Sequence, residues 1–208
     1  MKWHWIFSLL LYFLSLNMAE ARIGGSGEKE AAFDSIGMNR VGLRFFGLSW
    51  HPHGERENAS IMPLRLDRDA YWVQNLGAII SYERMLWADV LSSKAAIALY
   101  SDCAAQLGGF VHVGLRGRIL KLRKHQVWGG IGPTLIFRKN WLNIDGYRDQ
   151  NLFKGVSGDK FQYLFLWYAG EFDYRYSISS HWDVVGSFVP GYPDLMSFSL
   201  GVNYNFSL

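Results

Sequence analysis

AAIALYSDCAAQLGGFVHVGLRGR, residues 95–118, decides the fold. Its second half alternates: Val111, Val113, Leu115 and Ile119 fall on one parity, and His112, Gly114, Arg116 and Arg118 on the other. Side chains of a strand point to opposite faces with period two, so this segment has one oily face and one polar, charged face. The first half alternates too, with Ala95, Ile97 and Leu99 set against Ala98, Tyr100 and Asp102. A short link through Asp102, Cys103 and Gln106 leads into Gly108 and Gly109, which makes the whole a hairpin with an acid beside a thiol at its tip.

Working outward, the same alternation recurs. It predicts strands over 38–50, 71–85, 126–138, 161–176, 182–189 and 195–206, with long polar loops over 51–69 and 139–160. With the two strands of the hairpin that makes eight, an even number, each about the 9–11 residues that a tilted membrane strand requires. The 208 residues contain 22 glycines and are 16% aromatic, which suits such a barrel. The expected fold class is therefore all-β: an eight-stranded antiparallel up-and-down transmembrane β-barrel. A soluble barrel, the alternative, would turn its apolar face inward.

The first residues read as an export leader. Lys2 supplies a positive start, residues 5–16 are an apolar run, and Ala19-Glu20-Ala21 fits a cleavage site. That run is shorter than the roughly 20 apolar residues of a spanning helix. The expected organisation is a signal peptide over 1–21, a periplasmic segment over 22–37 with a short helix near 28–33, and a barrel over 38–208. Cys103 is the only cysteine, so no intrachain disulfide forms. A net charge of +3 is too weak to argue for nucleic acid. The expected location is the outer membrane of a Gram-negative bacterium, and the expected partners are membrane lipids, with the barrel a monomer.

Tight turns of outer-membrane barrels face the periplasm and long loops face outside. His51, Asp102, Cys103, Arg138, Lys139 and Pro190 then lie at the outer rim, and Trp87, the turn over 121–124 and the C-terminus at the inner rim. Glu83, Arg116, Arg118, Glu171, Asp173 and Arg175 share the inward parity and should pair, because an unpaired buried charge is costly. Leu48, Tyr100, Phe110, Ile136 and Leu164 lie toward the outer strand ends. They predict either an apolar cavity for an acyl chain above a charged floor, or a plug of side chains, since eight strands enclose little space.

Four short motifs, collinear and all at outer strand ends, carry a resemblance. They are Leu48-Ser49-Trp50-His51, Tyr100-Ser101-Asp102-Cys103, Arg138-Lys139-Asn140-Trp141 and Val189-Pro190-Gly191. The chain resembles the PagP-type lipid A palmitoyltransferases, which have a Trp-His pair bearing the essential histidine, an Asp-Ser pair, an Arg-x-Asn-Trp motif and an Ile-Pro-Gly motif. The resemblance implies an eight-stranded barrel that moves an acyl chain from a phospholipid onto lipid A without a cofactor. It implies catalytic roles for His51, Asp102 and Cys103, and substrate binding by Arg138, Asn140 and Pro190. Cys103 stands where that family has its serine, unless a register shift brings in Ser101.

From the residues themselves, acyl transfer needs a base, a group that orients it and donors for the oxyanion. His51 titrates near neutrality, with His53 as a rival, and Asp102 is an acid able to hold an imidazole. Cys103 is either a thiolate nucleophile or an inert small residue. Pro133 and Pro190 lack a ladder donor, so either can open the wall to lipid. A metal centre has no support, because no set of ligand types has suitable spacing. The alternative function is a non-catalytic small barrel with a structural or surface- and lipid-binding role.

Overall fold

A computed structural model describes residues 38–87, 89–190 and 196–207. The expected signal peptide, the segment 22–37 with its short helix, Ala88 in the first inner turn, the first residue of the last expected strand and the final residue lie outside the described residues. Eight strands follow in order: β1 (Met38–Trp50), β2 (Trp72–Trp87), β3 (Leu91–Ser101), β4 (Leu107–Leu122), β5 (His125–Lys139), β6 (Phe161–Ser177), β7 (Trp182–Pro190) and β8 (Met196–Ser207). Each pairs antiparallel with the next, and β8 pairs with β1, so the sheet closes on itself as an up-and-down barrel. One-turn 3-10 helices at Ala59–Ile61 and Trp141–Asn143 interrupt the two long loops.

Alternation places the oil outside. Leu43, Ile80, Ile97, Leu99, Val113, Leu115, Ile131 and Leu200 are exposed, and their neighbours Arg44, Ser81, Ala96, Ala98, His112 and Arg116 are buried. An apolar patch of this extent on a soluble surface would drive association; around a closed barrel with a polar interior it is a lipid-facing belt. The ladder pairs the strands' backbone groups within the sheet over most of the wall, the condition for crossing hydrocarbon, and is interrupted along the outer part of β6.

Bulges shift the parity at specific places. Between Phe46 and Leu48 the ladders to β2 and β8 both change register. Phe46 and Ser49 are therefore buried on either side of the shift, and Leu48, expected among the cavity residues, does not line it. On β6, Ala169 opposes Gly132 and Leu166 opposes Thr134, so β6 carries one residue more than β5 across Pro133. Trp167 and Tyr168 both point outward as a result, 74% and 73% exposed. Inward positions switch from Glu171, Asp173 and Arg175 below the bulge to Gln162, Leu164 and Leu166 above it.

The inner half of the lumen is filled by ion pairs. Asp173 sits 2.7 Å from Arg116, 3.2 Å from Arg44 and 3.3 Å from Arg175, and accepts a 2.6 Å bond from the Ser187 hydroxyl. Glu83 takes Arg175 at 2.6 Å, Arg116 at 3.4 Å and Arg40 at 3.5 Å, while Lys94 pairs with Glu171 at 2.6 Å. Arg118 is a correction: it keeps the inward parity opposite Trp128 but stands apart from this network, pairing with Asp89 near the inner strand ends. Arg40, Arg44, Lys94 and Asp183 join instead. The inner half is thus a plugged, charged layer, and any hollow must lie above it.

Candidate functional site

The hollow above the ionic layer has a volume of about 940 Å³, within the range of ligand cavities. Phe46, Ile79, Tyr100, Phe110, Ile136 and Leu164 supply its apolar wall. Phe46 packs tilted against Tyr100, ring centroids 4.6 Å apart, and meets Phe110 edge-on at 6.3 Å. These side chains leave the lumen open, so the plugged alternative does not hold for the outer half.

Its outer end carries the predicted residues. His51 follows β1 and is buried, with its backbone N–H donating to the Tyr71 carbonyl at 2.7 Å, which fixes the first residue of the loop against the last residue before β2. Asp102 follows β3. One carboxylate oxygen accepts the backbone N–H groups of Ala104 and Gln106, at 3.0 and 2.8 Å, and pins the tight link to β4. The other accepts the Trp141 indole N–H at 2.8 Å. Burial pushes the Asp102 carboxyl above the usual aspartate range, and the bonds from Gln106, Trp141 and Ala104 and the nearby Arg138 charge oppose that rise without cancelling it. His51 and Asp102 thus line one cavity.

Cys103 lines it too, packed among Ala59, Met62, Ala70, Val73, Ala104 and Trp141. Burial, with Asp102 adding to it, pushes its thiol well up, so the thiol stays protonated at neutral pH. Ser101 is the last residue of β3 and does not line the cavity, and His53 is exposed on the loop.

Arg138 also lines the cavity. Its guanidinium lies 4.1 Å from the Trp141 ring and 4.0 Å from the Phe153 ring, and donates to Gln162 and the Tyr147 hydroxyl, both at 2.9 Å. Asn140 works on the loop rather than the cavity: it caps the 3-10 turn through Leu142 and donates to the carbonyls of Val156 and Asp159. Sequence reasoning missed Trp141 as Asp102's partner, although the Asn140-Trp141 pair was in view. The two long loops fasten to each other over the mouth, where the Asn58 side-chain amide donates to the Arg148 carbonyl at 3.1 Å and accepts the Arg148 backbone N–H at 2.8 Å.

Lateral access differs at the two prolines. At Pro133 the β4–β5 ladder skips two pairs, between His112–Thr134 and Leu115–Ile131, but the backbones stay close: a Cβ on Gly132 would fall on the Val113 carbonyl oxygen. Pro190 pairs with Met196 of β8, but the β6–β7 ladder ends at Phe172 and Phe188. Residues 161–171 of β6 have no β7 partner among the described residues, and there the outward-facing Phe165, Trp167 and Tyr168 border the cavity's opening together with Leu166 and Val189. The cavity therefore reaches the side of the barrel where the ladder is missing. Among the described residues no group of three or more His, Cys, Asp or Glu side chains is placed to hold a metal ion.

No protein-family model and no curated protein matches the chain. Solved structures similar to it are small barrels. Ail, the attachment invasion locus protein of Yersinia pestis, is 9% identical with a TM-score of 0.47, over 82% of this chain and 99% of that one. Neisserial surface protein A is 7% identical with a TM-score of 0.44, over 83% and 97%. The N-terminal β-barrel domain of Pseudomonas aeruginosa OprF is 13% identical with a TM-score of 0.43, over 80% and 97%. At these identities the likeness concerns the barrel itself, an architecture that hosts unrelated functions.

Proposed function

We propose that this outer-membrane barrel is a lipid acyltransferase that takes an acyl chain from a phospholipid and transfers it to lipid A, as the resemblance to the PagP-type enzymes implies. The observation that carries the proposal is an apolar outer cavity, sized for a single chain, with His51 and Asp102 on its wall. The chain enters sideways between β6 and β7, since the interlocked loops cover the mouth. His51 removes the proton from the attacking lipid A hydroxyl and returns it to the leaving lysophospholipid. Asp102, anchored by Trp141 and two backbone N–H groups, presents its charge toward the imidazolium that forms. Arg138 meets anionic phosphate at the rim. Asn140 shapes the loop beside it, and Pro190 bounds the side entrance. Cys103 serves as a small packing residue, because a protonated buried thiol is a poor nucleophile.

The test is reconstitution in mixed micelles with acyl-labelled phospholipid as donor and lipid A as acceptor. Label is expected to pass to lipid A with the wild-type protein and with Cys103→Ala, and to fall by about a hundredfold or more with His51→Ala, the scale of a lost general base. Absence of transfer by folded wild-type protein would leave a second reading, a non-catalytic lipid-binding barrel. That reading is favoured by the engagement of both Asp102 oxygens with the Ala104, Gln106 and Trp141 donors.

A further inference from the structure

The base of the cavity is not apolar. Arg44, Lys94, His112 and Glu171 line its inner end, where the hollow meets the ionic layer. Most polar groups nearby are satisfied: Asn75 donates to Ser49 at 2.7 Å, Ser49 bonds Ser197 at 3.2 Å, and Ser187 donates to Asp173. Two are not. His112 uses Nδ1 on the Thr134 hydroxyl at 2.7 Å, while its Nε2 is buried with no partner. Arg44 spends one terminal nitrogen on Asp173, while its Nε is buried with no partner. In the tautomer whose Nδ1 accepts from the Thr134 hydroxyl, Nε2 is a donor like the Arg44 Nε, and buried donors in native proteins are nearly always bonded, so the two call for an acceptor in the cavity.

The charges say what kind of acceptor. The buried ionic layer holds five cations, Arg40, Arg44, Lys94, Arg116 and Arg175, against four carboxylates, Glu83, Glu171, Asp173 and Asp183. One positive charge is left over in a low-dielectric interior, where an uncompensated charge is costly. Arg44 and Lys94 both approach Asp173, at 3.2 and 3.9 Å, and so sit on the side of the layer that faces the hollow. His112 opposes Ala96 in the β3–β4 ladder, one inward position from Lys94, and so belongs to the same corner.

We propose that the cavity binds a long-chain carboxylate, a free fatty acid, with its carboxylate lowered onto Arg44, His112 and Lys94 and its chain pointing outward along the apolar wall. A monoanion cancels the surplus charge, a carboxylate accepts from a guanidinium Nε and an imidazole N–H together, and one chain fits the hollow. Neither His51 nor Asp102 takes part, so the binding is independent of acyl transfer, although the fatty acid and the transferred chain compete for the same space.

The experiment is titration of the folded full-length barrel in detergent with hexadecanoate labelled at its carboxyl carbon, followed by NMR, with hexadecan-1-ol as the uncharged control. The acid is expected to bind about tenfold or more tighter than the alcohol, the scale of hydrogen bonds to a charged group. Its carboxyl signal is expected to stay sharp when a water-soluble paramagnetic agent is added. Arg44→Leu is expected to remove the tenfold preference while leaving alcohol binding unchanged; if that variant does not fold, His112→Gln is used in its place and is expected to weaken only the acid. Equal affinities for acid and alcohol, or a carboxyl signal broadened by the agent, would overturn the proposal while leaving an acyl-binding cavity intact. Failure of both ligands to bind would remove the cavity's lipid role as well. His51→Ala is expected to bind the acid like the wild type.

Discussion

Asp173 shows at the residue scale why the charged interior is stable. Its carboxylate is shared by Arg116, Arg44 and Arg175 and held by the Ser187 hydroxyl. Asp173→Asn keeps the shape but leaves three buried guanidinium groups short of a counter-charge. It is expected to cost about 3–5 kcal/mol, the scale of a broken buried pair, read as a lower urea midpoint for the barrel in detergent. Asp102 predicts a pH effect of a particular sign. Burial raises its carboxyl pKa in the folded state, so the folded protein binds this proton more tightly than the unfolded chain. Its contribution to stability is complete below the ordinary aspartate pKa of about 3.9 and is lost as pH rises through the raised value. Thermal melts across that window are expected to fall with rising pH, and Asp102→Asn is expected to remove this part of the slope. On the proposed function, acyl transfer is expected to climb as Asp102 ionises, on a limb displaced upward from ordinary aspartate.

Elements were legible to different degrees, for physical reasons. Strands between lipid and a polar lumen must alternate, so residues 111–116 on β4 announced themselves, and lipid-facing Val113 and Leu115 beside buried His112 and Arg116 follow that parity. Bulges do not announce themselves, because an extra residue is defined only against the partner strand. Leu48 leaves the cavity wall for that reason, whereas Arg118 keeps its inward parity and pairs with Asp89 outside the ionic layer. Arg40, Arg44 and Lys94 belong to the ionic layer through a register that no single strand encodes. At the site, the strand-end topology brought His51, Asp102, Cys103 and Arg138 to one cavity. The Trp141 bond to Asp102 depends on how a loop folds back and was not readable. The β4–β5 contact gives a prediction of its own: Gly132→Val would set a side chain against the Val113 carbonyl. It is expected to slow or prevent barrel closure, seen as loss of the heat-modifiable compact band in gel electrophoresis, whereas Ile131→Val on the lipid face is expected to fold normally.

The whole molecule divides by depth. A charged layer seals the inner half, and an apolar hollow opens above it toward the missing part of the β6–β7 ladder, with a histidine and an aspartate at its outer end. In the proposed function a lipid chain enters that hollow from the side. The central claim is that the hollow serves acyl transfer onto lipid A, and mass spectrometry of lipid A from cells expressing the protein tests it most directly. A lipid A species heavier by one acyl chain is expected with the wild type and absent with His51→Ala at equal barrel abundance. Identical spectra with wild type, His51→Ala and empty vector would contradict it.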